Sequence, residues 1–141
     1  MFNSSPNERL AEWKQFRDTI EISNTPLEDV AELWSHAPFV SSFLDPRFPN
    51  TWPDPWHLIL DGRFDDLAIV LGILYTLQLT QRFMSSHFEI HMSIVSQNKS
   101  PNYWLVVDGN YALNYHYKEV VAVDQVTLPP STIIYTKTFP Q

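Results

Sequence analysis

The run Asp61-Gly62-Arg63-Phe64-Asp65-Asp66-Leu67-Ala68-Ile69-Val70-Leu71-Gly72-Ile73-Leu74-Tyr75-Thr76-Leu77 decides the architecture, because beyond its paired carboxylates it is apolar nearly all the way round. A helix without a polar face must be enclosed by other elements. Asp65 and Asp66 stand where negative charge favours the positive end of a helix dipole. The spacing therefore predicts a central, buried helix over residues 65–81. Its apolar stretch, Ala68 to Leu79, is interrupted by Gly72 and Gln78 and falls short of the roughly 20 residues needed to span a bilayer. No membrane insertion is expected.

Upstream, Ser5-Pro6-Asn7-Glu8 has the form of a capping box with proline at the first helical position, followed by Leu10, Trp13, Arg17 and Ile20 at helical spacing. A first helix is expected near residues 6–22. Thr25-Pro26-Leu27-Glu28 repeats the signal for a second, shorter helix that ends before Pro38. Residues 38–56 then mix five prolines with Phe39, Phe43, Phe48, Trp52 and Trp56, which suits an irregular wrap packed on the domain. Asp54 and Pro55 open a short helix, and Gly62 is placed to end it in the left-handed conformation.

Downstream the period changes from helical to two. Phe88, Ile90, Met92 and Ile94 alternate with His87, Glu89, His91 and Ser93, the mark of a half-buried strand. Tyr103 to Val107 follows, and Asp108-Gly109-Asn110 is a hairpin turn into Tyr111 to Tyr117. Val120 to Val123 and Thr132 to Thr138 are further strands, separated by Pro129-Pro130. Helices first and sheet second argue for a single α+β domain over residues 1–141: a helical part to 37, the wrap to 56, a central helical part over 57–82, and a sheet over 87–138.

The chain has 141 residues, enough for one core. Nine Lys and Arg against sixteen Asp and Glu leave a net charge of −7, so nucleic acid is not an expected partner. There is no cysteine, which excludes disulfides, thiolate metal ligands and a cysteine nucleophile. The N-terminal residues lack the basic and apolar regions of a secretory signal.

Trp52 to Ala68, with Trp52-Pro53-Asp54-Pro55-Trp56-His57 leading through Gly62-Arg63-Phe64-Asp65-Asp66, resembles the nucleophile region of transglutaminase-like, papain-like cysteine proteinases. In that family a short helix and a glycine turn lead into a Cys-Asp-Asp/Glu-aromatic-Ala run that opens the central helix. A strand carrying His follows, matched by His91-Met92-Ser93-Ile94-Val95, and then a strand ending in Asp, matched by Trp104-Leu105-Val106-Val107-Asp108. The resemblance covers about residues 50–120 and implies N-terminal helices and a buried central helix packed on a C-terminal antiparallel sheet.

In such a site the helix N-terminus lowers the thiol pKa, the His pairs with the thiolate and the Asp orients the His. The position matching the nucleophile is Phe64, which has nothing to attack with. The resemblance therefore implies a pseudoenzyme with degenerate triad positions Phe64, His91 and Asp108, no catalytic residue and no cofactor.

A hydrolase using His91 with Asp108, Asp65 or Glu89 is the enzymatic alternative. His87, Glu89 and His91 share one strand face and offer a zinc-binding pattern. The surplus of aromatics points instead to contact with other protein chains, with Phe43, Phe48, Trp52, Trp56, Tyr135 and Phe139 as candidate interface residues. A small degenerate domain of this kind, acidic, cysteine-free and rich in aromatics, resembles components of phage particles, and the resemblance implies a structural component of the neck, tail or baseplate present in multiple copies; outside a phage it would be cytoplasmic. A soluble inhibitor or adaptor of a host protein is the remaining alternative. The C-terminal strand is free to pair within the chain or with a neighbour.

Overall fold

The computed structural model describes residues 1–40, 44–94, 101–116, 118–125 and 131–138. Four helices precede a sheet: α1 (Pro6–Ile20), α2 (Pro26–Trp34), α3 (Pro55–Asp61) and α4 (Asp66–Gln78), then β1 (His87–Ile94), β2 (Pro101–Val107), β3 (Tyr111–Leu113), β4 (Val120–Ala122) and β5 (Thr132–Thr138). Short 3₁₀ turns lie at Pro49–Thr51 and Val123–Gln125. None of the described helices is long and apolar enough to cross a membrane.

Local chemistry starts α1 and α3 as the sequence indicates, whereas the capping box expected at Thr25–Glu28 does not form: α2 starts at Pro26 with no side-chain cap, and the Thr25 hydroxyl donates to the Asp29 carboxylate. The Glu8 carboxylate accepts from the Ser5 backbone N–H and hydroxyl, completing the capping box of α1. Asp54 caps α3 by accepting the His57 backbone N–H at 2.8 Å. Gly62 ends α3 at φ 67°, and a Cβ there would meet the Arg9 guanidinium at 3.0 Å. Arg9 needs that room, since it reaches across to donate to the Ile59 and Leu60 carbonyls left open at the end of α3.

α4 lies in the middle. Leu67, Leu71, Leu74 and Leu77 are buried on it, each contributing on the order of 1.5–3 kcal/mol through removal from water. α2, α3 and β2 all pack against α4. Trp13 of α1 and Trp34 of α2 both donate their indole N–H to the Thr76 hydroxyl of α4, at 2.9 and 3.0 Å. Tyr75 donates to the Pro53 carbonyl, which ties the Pro/aromatic wrap to the same helix.

The sheet order is β4-β3-β2-β1-β5, antiparallel throughout. Phe88, Ile90, Tyr103, Leu105 and Val107 join the core shared with α4. Trp104, Val106 and Ala112 form a second, small cluster on the other face, as the alternation of strand side chains requires. The hairpin between β2 and β3 turns on Asp108 (φ 52°) and Gly109 (φ 70°), both left-handed. β3 and β4 are shorter than the expected strands, Tyr111 to Tyr117 and Val120 to Val123. Asn114 and Lys118, both at positive φ, turn the chain between them. The C-terminal strand pairs within the chain as an edge beside β1, with a slip between Ile90 and His91 that leaves Ile134 as the extra, bulged residue.

Candidate functional site

At the head of α4, Asp65 is buried and serves as the cap: one carboxylate oxygen accepts the Ala68 N–H at 2.8 Å and the other the Leu44 N–H at 3.0 Å. Both oxygens thus hold backbone. Phe64, just before it, makes a parallel bridge with Phe39. Its fully buried ring packs edge-to-face on Phe2 and Trp34 at 5.4 and 5.3 Å. Phe64 is a core residue and faces no imidazole.

His91 lies on the other face of the sheet. It is opposite Trp104 in the β1–β2 register and stacks on that ring at 5.6 Å, interplanar angle 22°. Its Nε2 is 3.0 Å from Glu89 Oε1 and its Nδ1 3.0 Å from the Ser131 hydroxyl. Asp108 sits at the hairpin, where its carboxylate accepts the His87 backbone N–H and its own N–H donates to the His87 carbonyl, both at 2.7 Å.

The expected triad geometry is therefore corrected: Phe64, His91 and Asp108 do not converge. The period of two that makes β1 a strand sends Phe88 and Ile90 toward α4 and turns Glu89 and His91 away from it.

The strand face does bring His87, Glu89 and His91 together, with the Glu89 carboxylate between the imidazoles at 3.1 and 3.0 Å. The Nε2 atom of each imidazole faces that carboxylate, and among the described residues no group of three His, Asp or Glu side chains is arranged to hold a metal ion. Hydrogen bonds from His91 first and then His87 hold the Glu89 carboxyl below the ordinary value of 4.5. A depressed acid contributes stability above its unfolded value and loses it as pH falls through its folded value. Glu89→Gln is thus expected to cost under about 1 kcal/mol near neutrality, the pair being partly exposed. The cost should shrink below pH 4.5; unfolding curves of both proteins across that range check it, and a gap that stays constant with pH would count against the pairing.

The interface candidates divide. Phe48 is 51% exposed and Trp56 46% exposed. Trp56 packs edge-on against Trp13 at 5.9 Å, and the Arg17 guanidinium lies over both rings. Trp52 and Tyr135 are partly buried and touch each other at 5.5 Å, bracing the wrap on the sheet instead of facing outward. Phe43 and Phe139 lie outside the described residues. Phe39, 62% exposed, and Ile22 and Ile133 are exposed apolar residues that periodicity did not single out; each lies at or beyond an element boundary or on an edge strand, where pattern carries little signal.

Helices packed around a buried central helix, which is backed by an antiparallel sheet, make this a transglutaminase-like α+β fold. Among solved structures it is similar to calcium-bound LapG of Legionella pneumophila, with a TM-score of 0.66 over 97% of this chain and 78% of that one, at 12% identity. At that identity the likeness speaks for the fold alone. No protein-family model matches the chain, and no curated protein matches it.

Proposed function

We propose that this chain is a non-catalytic contact protein on a transglutaminase-like scaffold, and that its setting is a phage particle, in the neck, tail or baseplate. The observation that carries the non-catalytic part is the head of α4, where the sequence has no cysteine and Phe64 is sealed under Phe2 and Trp34. His91 is turned to the opposite sheet face, so a nucleophile at position 64 has no base to activate it. Contact is supported by the exposed aromatic rings at Phe39, Phe48 and Trp56 on an acidic, cysteine-free chain. The particle setting rests on that same character.

Phe64→Cys tests the first part. Iodoacetamide is expected to modify the native thiol more slowly than the same thiol in urea, since the position is buried and lacks an imidazole partner. Faster modification in the native protein would overturn the reading. The second part is tested by sedimentation of the purified chain: self-assembly weakened by Trp56→Ala supports it, and a monomer at every concentration counts against it.

A further inference from the structure

A cavity of about 340 Å³ opens between the end of α2, the first turns of α4 and the β3–β4 turn, within the size range of small-ligand sites. Phe39 and Ile69 supply accessible apolar wall, with Trp34 and Ile73 buried at its base, and Asp66, Asn114 and Lys118 bring polar groups to it. Two of these are committed. The Asn114 amide donates to the Tyr103 carbonyl at 3.0 Å, and the Lys118 ammonium is 3.3 Å from the Glu32 carboxylate.

Asp66 is different. It makes no hydrogen bond or ion pair with any described residue, while its neighbour Asp65 takes the capping role. Asp66 is exposed at the rim of the cavity, and a carboxylate beside an apolar wall with no protein cation on it suits a ligand cation that brings its own apolar surface. We propose that this cavity binds an aliphatic ammonium or guanidinium on an apolar stem, with Asp66 as its counter-ion. The stem packs on Ile69 and the exposed Phe39, whose ring at the wall is within the cavity lining for contact with the cation. Desolvation, and secondarily the charge of Asp65, hold the Asp66 carboxyl above its ordinary pKa, a cost that a bound cation relieves. This inference is independent of the proposed contact role.

Such a group belongs either to a free amine or to a Lys or Arg side chain of another protein. The test is an NMR titration of the full chain with butylammonium, with Nα-acetyl-lysine methylamide and with the uncharged norleucine counterpart of the latter. Both cations are expected to shift the Trp34 indole and Asn114 amide resonances saturably. Asp66→Asn, which removes an unpaired carboxylate and leaves the fold intact, should weaken both about tenfold or more. The norleucine compound should bind wild type more weakly than the lysine compound by a similar factor. If the lysine compound binds more tightly than butylammonium, the occupant is a protein side chain; equal binding identifies a free amine. Equal binding of the norleucine and lysine compounds, no effect of Asp66→Asn, or no saturable shift with either cation would overturn the proposal.

Discussion

Thr76→Val is expected to lower the unfolding free energy by about 3 kcal/mol although it changes neither size nor shape. The Thr76 hydroxyl is fully buried and takes the indole N–H of Trp13 at 2.9 Å and of Trp34 at 3.0 Å, while donating to the Gly72 carbonyl at 2.6 Å. Valine fills the same volume, so no cavity term arises. Two indole N–H groups are instead left buried without an acceptor, each costing about 1–3 kcal/mol. Thr76→Ser keeps the oxygen and should retain most of the stability. Urea unfolding followed by circular dichroism separates the two; a loss below about 1 kcal/mol for Thr76→Val would show that water replaces the hydroxyl.

The second large effect reverses a general rule. Alanine usually stabilises an interior helical position over glycine by about 1 kcal/mol. At Gly72 a Cβ would lie 2.2, 2.4 and 2.5 Å from three carbons of the Trp34 ring, closer than real contacts allow. That ring cannot swing aside, since its N–H is held by Thr76 and its other edges meet Phe2 and Phe64. Gly72→Ala therefore has to push α2 off α4, and a loss of about 3 kcal/mol is expected. Adding Trp34→Phe should recover part of it, because residues in direct contact couple. A neutral Gly72→Ala would mean that the helices sit further apart than described.

Most of the elements were legible because their signals are local. Asp54, Pro55 and Gly62 mark both ends of α3 within the helix itself and its immediate neighbours, and the cap, dihedral and boundary all agree. The apolar run after Asp66 required enclosure wherever it went, and α4 is enclosed. Boundaries slipped where tertiary contacts intervene: β3 stops at Leu113 because Asn114 turns at φ 68° and bonds back to Tyr103.

The site was less legible. Matching Phe64, His91 and Asp108 to a family motif placed them in the right order along the chain and left open the side to which each side chain points. Asp65 and Asp66 carried a usable signal, since only one of two adjacent carboxylates can cap a helix and the other is left to face something else.

The order of residues alone determined the class of fold, the buried central helix and the absence of a thiol, because composition, capping and periodicity act over a few neighbouring residues. Only the folded chain decided that Phe64 packs into the core while His91 lies behind the sheet, that the tail closes beside β1, and that Asp66 shares a cavity with Asn114 and Lys118. Those outcomes depend on strand register and on how elements far apart in sequence stack, which is set by the packing of the whole core.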